Sequence, residues 1–307
     1  MLSHQHLISI RHLDREQVLE ILKLATYYQQ QALDSVPLSA RPLAGKIIAS
    51  CFFEPSTRTR LSFESAALRL GAQVIGFASD ANTSMAKGES LQDSIRMVAN
   101  YADLIVIRHP QDGAAQLAAE IANKPVINAG DGANQHPTQA LTDLFTMQTC
   151  QNKLEGLSIA LVGDLKYGRT IHSLVQLCAW FKMRLFLVSP ECFALPESIC
   201  DELKWQGVRF SHHTELSKVI PRVDVIYMTR LQRERLSAAD QLLSPRLFTL
   251  TPAMLAQAQA HLKILHPLPR MTEIDPAVDQ TPYAHYFTQA ANGVYVRQAL
   301  LAGLLSG

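Results

Sequence analysis

The residues best suited to bind an anion lie between positions 47 and 64. An apolar run over 47–53 predicts a buried strand, and Ser56 stands where the N-cap of a following helix belongs. That helix would begin with unpaired backbone N–H groups, hydroxyl side chains and two arginines. The N–H groups and the helix dipole both favour negative charge at this end. The stretch therefore predicts an anion-binding turn between a strand and a helix.

Arg58 and Arg60 cannot both serve such a turn. Residues two apart on a helix point about 200° away from each other, so only one guanidinium can face the anion. Arg60 also stands four residues before Glu64, which is the spacing of a helical ion pair. This geometry assigns Arg58 to the anion and Arg60 to a structural ion pair. The alternative is a well-capped helix that carries two solvated arginines.

Further donors follow the next predicted strands of the first half. Arg108 comes after the apolar run 104–107, and it could reach the same anion because neighbouring parallel strands end side by side. His136 and Gln139 lie three residues apart at another strand-to-helix junction. An imidazole can donate to a carbonyl oxygen, and an amide carbonyl can accept from an NH₂ group. A solvated loop arginine and a structural histidine are the alternatives.

The second half of the chain offers groups for carboxylates and amines. The turn at 163–170 has two glycines and lacks the third glycine of the dinucleotide fingerprint, which favours a turn without a nucleotide. Arg169 within it suits a carboxylate, because guanidinium binds carboxylates through two parallel hydrogen bonds. Arg230 and Gln232 follow another predicted strand. Two prolines within 266–270 would fix a backbone carbonyl that could accept from an amine.

The elements that must position these groups alternate between strand and helix, which predicts an α/β fold of parallel sheets flanked by helices. A polar break at 151–156 separates two such alternations, with helices expected between the strands of the second. The predicted domains are 1–137, completed by about 290–307, and 138–289, so that the C-terminal helix returns to the first domain. In open α/β sheets, ligands bind beyond the carboxyl ends of the strands, where the polar motifs lie.

Composition and charge argue against several classes of protein. A formal net charge of +1, with 48% hydrophobic and 18% charged residues, disfavours a nucleic-acid coat or a membrane-surface binder. The five cysteines include no C-x-x-C pair, so neither a disulfide framework nor a zinc site is expected. No metal and no cofactor is predicted. The first residues lack a signal-peptide pattern and no apolar run is long enough to span a membrane, so a cytoplasmic location is expected.

Five motifs together resemble one known family. They are FEPSTRTR at 53–60, HPTQ at 136–139, GDLKYGRT at 163–170, YMTR at 227–230 and HPLP at 266–269. In this order, and over nearly the whole chain, they resemble the aspartate/ornithine carbamoyltransferases. The resemblance implies transfer of the carbamoyl group of carbamoyl phosphate to the α-amine of L-aspartate in pyrimidine biosynthesis, giving N-carbamoyl-L-aspartate and phosphate. It also implies a carbamoyl phosphate domain followed by an aspartate domain.

The resemblance implies a set of residues that bind carbamoyl phosphate. Four residues of the first motif would hold the phosphate: Ser56, Thr57, Arg58 and Thr59. Three donors would face the carbonyl oxygen: Thr59, Arg108 and His136. Gln139 would bind the carbamoyl NH₂ group. Because the reaction passes through an oxyanion and a departing phosphate, the expected catalytic residues are Arg58, Thr59, Arg108 and His136.

A second set would bind aspartate. Its two carboxylates would be held by Arg169, Arg230 and Gln232. The backbone carbonyl of Leu268 would orient the amine, and the peptide bond between Leu268 and Pro269 is expected to be cis.

The polar loop at 80–88 would reach a neighbouring subunit. On its residues alone it is an exposed loop with a single lysine. The resemblance instead implies that Ser84 and Lys87 enter the adjacent chain's site, so that a homotrimer with shared active sites is the smallest active unit. The family pattern often has two adjacent lysines here, and this loop is one residue shorter. Whether regulatory chains also bind is left open by the sequence.

Other functions compete with this interpretation. Ornithine carbamoyltransferases carry a cysteine where Pro267 stands here, and Arg230 suits a second carboxylate, so the sequence favours aspartate. A dinucleotide-binding oxidoreductase built around 163–170 would need the missing third glycine. A non-catalytic binding or regulatory relative would be expected to lack some of these polar residues, and all of them are present.

Overall fold

A computed structural model describes residues 6–34, 41–231 and 249–305. The chain divides into two compact units, which are Met1–Phe145 with Ala290–Gly307 (unit 1) and Thr146–Gln289 (unit 2). Each unit is a parallel sheet flanked by helices, so the predicted fold class is confirmed. The predicted boundary at 137/138 falls at the first residue of the helix Pro137–Gln151, and the two units divide within that helix.

In the part of unit 1 that the structure describes, four parallel strands lie in the order β2-β1-β3-β4. These strands are β1 (Ile47–Phe52), β2 (Gln73–Phe77), β3 (Leu104–His109) and β4 (Val126–Asp131). The helices that begin in this unit before its C-terminal segment are α1 (Arg15–Leu33), α2 (Thr57–Arg69), α3 (Leu91–Tyr101), α4 (Ala114–Ile121) and α5 (Pro137–Gln151).

Local sequence signals explain where the first two helices begin and end. Asp14 and Gln17 form a full capping box at the start of α1, with each side chain bonded to the other's backbone N–H at 2.8 and 2.9 Å. The apolar face of α2, which includes Phe63, is almost fully buried. Gly71 after this helix has φ +88°, a left-handed conformation that suits glycine.

The C-terminal helix α8 (Tyr286–Leu305) completes unit 1 from Ala290 onward. It begins a few residues before the predicted segment of about 290–307. The side-chain amide of Gln29 in α1 donates to Asn292 at 3.1 Å, and Val296, Leu300 and Leu301 are fully buried. The predicted return of this helix to the first domain is confirmed.

Among the described residues of unit 2, five parallel strands lie in the order β7-β6-β5-β8-β9. These strands are β5 (Ser158–Val162), β6 (Arg184–Val188), β7 (Arg209–His213), β8 (Val225–Met228) and β9 (Lys263–Leu265). Its helices in the described residues, after the end of α5, include α6 (Arg169–Trp180) and α7 (Glu197–Trp205).

The connection between β7 and β8 differs from the prediction of a helix between each pair of strands. Only residues 214–224 join these strands, and they form two short 3₁₀ turns, Leu216–Lys218 and Ile220–Arg222. A crossover between parallel strands usually needs a dozen or more residues to include an α-helix. Pro221 in the second turn also lacks the backbone N–H that a helix interior requires.

Both sheets have a point where the strand order reverses. In unit 1, β1 lies between β2 and β3, and in unit 2, β5 lies between β6 and β8. Chain connections leave such a central strand in opposite directions, which opens a crevice at the carboxyl ends of the two diverging strands. The carboxyl ends of β1 and β3, and those of β5 and β8, are therefore the places to look for ligand-binding groups.

Candidate active site

Arg108 is held at the carboxyl end of the unit 1 sheet by groups from two other strands. β1 and β3 are adjacent, and the backbone N–H of Phe53 donates to the carbonyl of Arg108 at 2.8 Å. The guanidinium of Arg108 bonds Glu54 at 2.8 Å and donates to the carbonyl of Ala129 at 3.2 Å. Its side chain is only 13% exposed. Arg108 is therefore held by an ion pair and a hydrogen bond at the point where the strand order reverses, and it is not a solvated loop side chain.

The start of α2 lies beside it and carries the predicted anion-binding turn. Ser56 is the N-cap residue, but its side chain makes no capping hydrogen bond to the first turn. Thr57 and Arg58 are exposed, whereas Thr59 is buried. A first turn without a side-chain cap leaves its N–H groups for another acceptor, and an anion is the acceptor that the helix dipole favours.

Arg60 has a different environment from Arg58. Its Nε bonds Glu64 at 2.7 Å, and Glu64 also accepts a hydrogen bond of 3.1 Å from the Ser50 hydroxyl. The predicted i,i+4 ion pair is confirmed, and it reaches further into the protein than an outer-surface pair would. Arg60 is thus held by Glu64, and Arg58 is exposed to solvent.

Asp131 braces the loop that leads from β4 to His136. Its carboxylate accepts hydrogen bonds of 2.8–3.2 Å from the side chains of Asn128 and Asn134 and from the backbone N–H groups of Gln135 and Gly113. His136 itself is buried. A carboxylate that accepts four hydrogen bonds fixes the backbone of this loop. It thereby also fixes the backbone position of His136.

Gln139 is tied to the next turn of α5. Its side-chain amide Nε2 donates to Asp143 Oδ1 at 2.7 Å, and Asp143 is completely buried. Gln139 itself is partly exposed. A carboxylate can only accept hydrogen bonds, so the amide nitrogen faces Asp143 and the amide oxygen Oε1 faces away from it.

His109, next to Arg108, is a structural residue. Burial lowers the pKa of its imidazole, against the opposing effects of Glu54, Asp80 and Asp131. Its Nδ1 accepts a hydrogen bond from the backbone N–H of Gln111 at 3.1 Å. The ring is therefore a neutral acceptor that shapes the end of β3.

Ser84 and Lys87 form part of a short 3₁₀ turn (Ser84–Lys87) in the predicted polar loop. The turn ends at Gly88 with φ +95°, and the Thr83 side chain accepts a hydrogen bond at its start. Both Ser84 and Lys87 are exposed, while Met85 packs against the hydrophobic core of unit 1. The loop is thus anchored by one side chain and presents the two predicted site residues at the surface.

In unit 2, Gly163 allows the ends of β5 and β8 to approach closely. It has φ +115°, and a Cβ atom at this position would lie 2.4 Å from the carbonyl oxygen of Thr229. The Thr229 hydroxyl in turn donates to the carbonyl of Val162 at 3.0 Å. The space beside this glycine, which a dinucleotide phosphate would need, is therefore occupied by protein backbone.

The two arginines predicted to bind carboxylates lie just beyond this contact. Arg169 begins α6 after Gly168, which supplies no side-chain cap, and Arg169 is 5% exposed. Arg230 follows Thr229, is partly exposed and donates to the carbonyl of Leu231 at 3.2 Å. Gln232, the third predicted carboxylate ligand, lies outside the described residues.

Leu268 lies in a loop after β9 that is held by a buried histidine and a buried glutamate. The peptide bond to Pro269 is cis, as predicted, and Leu268 has φ +55°. Its backbone N–H donates to His266 Nδ1 at 2.7 Å, so the proton of this imidazole is on Nε2, which donates to Glu273 at 2.7 Å. Glu273 also accepts from the backbone N–H groups of Met271 and Thr272 at 3.1–3.2 Å.

The pKa of the Glu273 carboxyl is lowered by this arrangement. Burial acts to raise the pKa, but the hydrogen bonds from His266 and from backbone N–H groups outweigh it. Glu273 is therefore ionised in the folded protein at neutral pH and holds the loop that carries Leu268.

Within the residues that the structure describes, no group of three or more His, Cys, Asp or Glu side chains is arranged to hold a metal ion. Over the same residues, no helix combines the length and apolar character needed to cross a membrane.

Sequence reasoning missed the acidic residues that hold these groups: Glu54, Asp131, Asp143 and Glu273. Glu54 is next to the predicted turn, but its partner Arg108 is distant in sequence. Asp143 could have been found, because a glutamine four residues before an aspartate is a known helical hydrogen-bonding pair.

Two family models match the chain. The model described as "Aspartate/ornithine carbamoyltransferase, carbamoyl-P binding domain" matches residues 5–149, and the one described as "Aspartate/ornithine carbamoyltransferase, Asp/Orn binding domain" matches residues 155–304. Among curated proteins, the aspartate carbamoyltransferase catalytic subunit of Vibrio campbellii is 51% identical, over 99% of this chain and 98% of that protein. The corresponding subunit of Chromobacterium violaceum is 50% identical, over 98% of both proteins.

Solved structures give the same result. The catalytic subunit of M. jannaschii aspartate transcarbamoylase has a TM-score of 0.90 and 44% identity, with 98% of both chains covered. Aspartate transcarbamoylase from Trypanosoma cruzi in complex with carbamoyl phosphate and aspartate has a TM-score of 0.91 and 36% identity, with 97% of this chain and 95% of that chain covered. The chain therefore belongs to the aspartate/ornithine carbamoyltransferase family.

Proposed function

We propose that the protein transfers the carbamoyl group of carbamoyl phosphate to the α-amine of L-aspartate, giving N-carbamoyl-L-aspartate and phosphate. The amine forms a bond to the carbonyl carbon, and the bond from that carbon to the phosphate oxygen breaks. The phosphate leaves with the electron pair, and one proton of the amine goes with it. Both curated relatives are named for this activity, and solved relatives bind both substrates.

In unit 1, the start of α2 binds the phosphate. Ser56, Thr57 and Thr59 supply hydroxyl and backbone donors, and Arg58 supplies the charge that stabilises the phosphate as it leaves. The missing side-chain cap at Ser56 and the exposure of Arg58 support this role.

Arg108, Thr59 and His136 stabilise the oxyanion that forms on the carbonyl oxygen. Donors that are already fixed before the reaction need no reorganisation when charge develops. The ion pair of Arg108 with Glu54 and the braced loop before His136 supply such fixation. Gln139 accepts a hydrogen bond from the carbamoyl NH₂ group through its Oε1.

In unit 2, Arg169, Arg230 and Gln232 bind the two carboxylates of aspartate, and the carbonyl of Leu268 accepts from its amine. Arg169 starts a helix, where both its own charge and the helix dipole favour a carboxylate. The contact between Gly163 and Thr229 supports this role and speaks against a dinucleotide at the same turn.

The observation that carries the proposal is the placement of Arg108. It lies at the reversal point of the unit 1 sheet, it is braced by Glu54 and Ala129, and the uncapped start of α2 follows the neighbouring strand. This arrangement supports the proposal of a phosphate site and a carbonyl-oxygen site at the ends of adjacent strands.

The test is a carbamoylation assay with purified protein and carbamoyl phosphate, comparing L-aspartate with L-ornithine as the acceptor. We expect carbamoyl-aspartate and phosphate to form in equal amounts, with little carbamoyl product from ornithine. Faster product formation with ornithine, or phosphate release without carbamoyl-aspartate, would contradict the proposal.

We also propose that the enzyme is a cytoplasmic homotrimer in which Ser84 and Lys87 of one subunit serve the active site of the next. The exposure of both side chains supports this arrangement. Mixed trimers of Lys87→Ala and Arg58→Ala chains are expected to regain activity, because some sites would then contain neither substitution. Mixtures that stay as inactive as the two parents would exclude shared sites. The relatives are named catalytic subunits, which makes regulatory chains the first partners to seek.

A further inference from the structure

The hydrogen bond between Gln139 and Asp143 determines which end of the Gln139 amide is available to a ligand. A glutamine amide is nearly symmetric in shape, so its orientation must be set by its partners. Asp143 Oδ1 lies 2.7 Å from Gln139 Nε2, and the carboxylate can only accept. An amide turned the other way would place two acceptors against each other. Gln139 therefore keeps Oε1 free of Asp143 as an acceptor.

A buried arginine from the C-terminal helix supports the charge on Asp143. Arg297 in α8 is 3% exposed, and burial lowers its pKa to about 10, while Asp143 acts to raise it. A guanidinium with that pKa is protonated at neutral pH. The two side chains therefore attract each other.

The chain makes room for this guanidinium. A Cβ atom on Gly293, one turn earlier in α8, would lie 2.2 Å from Arg297 Nη1, so a larger residue there would force the end of the arginine side chain to move. The guanidinium carbon also lies 5.0 Å from the centre of the Phe63 ring, within the range of a cation–π contact. Phe63 belongs to α2, and Asp143 belongs to α5. Arg297 thus interacts with both helices whose first turns carry the carbamoyl phosphate residues.

We propose that Asp143 and Arg297 are positioning residues that hold the Gln139 amide with its oxygen toward the carbamoyl group, so that the site selects an NH₂ group over a methyl group. This inference rests on the proposed function, because it assigns the carbamoyl NH₂ group as the partner of Oε1. It also gives the returning C-terminal helix a role in ligand recognition.

Acetyl phosphate provides the test, because it carries a methyl group where carbamoyl phosphate carries NH₂. We would measure the dissociation constants of both compounds by calorimetry for the parent protein and for Asp143→Asn. The neutral amide of asparagine can donate or accept, so Gln139 would no longer be held in one orientation. We expect carbamoyl phosphate to bind about 10-fold more weakly and acetyl phosphate to change by less than about 2-fold.

A purely structural role for Asp143 would weaken both compounds by the same factor, and this result would overturn the proposal. Gln139→Ala supplies the reference: in that background, Asp143→Asn should cause no further loss of preference for carbamoyl phosphate. Retention of the full parent preference in Asp143→Asn alone would equally contradict the proposal.

Substitutions of Arg297 test the proposal independently, in case Asp143→Asn does not fold. The first is Arg297→Lys. It keeps a positive charge beside Asp143, and we expect it to keep the preference for carbamoyl phosphate within about 3-fold of the parent, whereas Arg297→Met should lose it. Equal preferences in the two variants would exclude the role of the charge. The binding readout separates this inference from the proposed function, because a protein that binds carbamoyl phosphate but carbamoylates a different acceptor would still show the effect of Asp143.

Discussion

Acidic side chains hold Arg108 and Gln139 in unit 1, whereas close backbone contact holds the strand ends that precede the candidate arginines of unit 2. In unit 1, Glu54 bonds Arg108 and Asp143 bonds Gln139. In unit 2, the ends of β5 and β8 approach so closely that a Cβ atom on Gly163 would lie 2.4 Å from the carbonyl oxygen of Thr229. An ion pair or hydrogen bond from a side chain can set the charge state and orientation of a donor. Close backbone contact fixes only the position of the residue that carries the donor. This contrast fits a phosphate and carbonyl site in unit 1, where charge develops, and an amino-acid site in unit 2, where a substrate is held.

The largest effect is expected from Arg58, which belongs to the uncapped first turn of α2. We expect Arg58→Ala to lower kcat by about 10²–10³-fold, as the loss of one charge-assisted donor to a developing anion does. The melting temperature should stay close to that of the parent, because Arg58 is exposed. The measurement is the steady-state rate of carbamoyl-aspartate formation.

Arg60→Ala is the matched control for that substitution. Arg60 is paired with Glu64 at 2.7 Å with 36% of its side chain exposed, so its loss should cost at most about 1 kcal/mol of stability. Its kcat should remain within about 3-fold of the parent. A loss of activity in Arg60→Ala as large as that in Arg58→Ala would break the division of roles between the two arginines.

Substitution of Gly163 tests the close contact between the ends of β5 and β8 in unit 2. Gly163→Ala would place a methyl group against the Thr229 carbonyl at a positive φ, and we expect a loss of about 2–5 kcal/mol in the free energy of unfolding. Gly156 also has a positive φ, but a Cβ there would meet no atom within 4 Å among the described residues. Gly156→Ala should therefore cost only about 1–2 kcal/mol. Equal losses in denaturant unfolding would show that the contact with Thr229 is unimportant.

The sequence predicted the strands and most of the helices, because their apolar runs and caps are local signals. The strand over 47–53 and the paired Arg60 are examples. The ion pair between Glu54 and Arg108 could not be predicted, because the two residues are distant in sequence and come together only when β1 and β3 lie side by side. The support of Asp143 by Arg297 depends on the return of α8, for which the hydrophobic periodicity gives no indication.

The smallest effect concerns the loop that carries Leu268. The pKa of Glu273 is lower than its ordinary value of 4.5 in the folded protein, so its carboxylate stabilises the fold above that pH. This contribution is lost as the pH falls through the lowered folded-state pKa. At pH 7 we expect Glu273→Gln to melt about 3–10 °C below the parent, and the difference should shrink at pH values below 4. A difference that stays constant between pH 7 and pH 3 in thermal unfolding would contradict this role of the carboxylate.

The most direct test of the contrast between the units measures each substrate separately in two variants. The dissociation constant for carbamoyl phosphate and the KM for aspartate would be determined for Arg58→Ala and Arg230→Ala. We expect Arg230→Ala to raise the KM for aspartate by about 10–100-fold, the cost of a lost charge-assisted carboxylate contact, and to leave carbamoyl phosphate binding within about 3-fold. Arg58→Ala should weaken carbamoyl phosphate binding instead. If Arg230→Ala weakens carbamoyl phosphate as much as Arg58→Ala does, the assignment of one substrate to each unit is wrong.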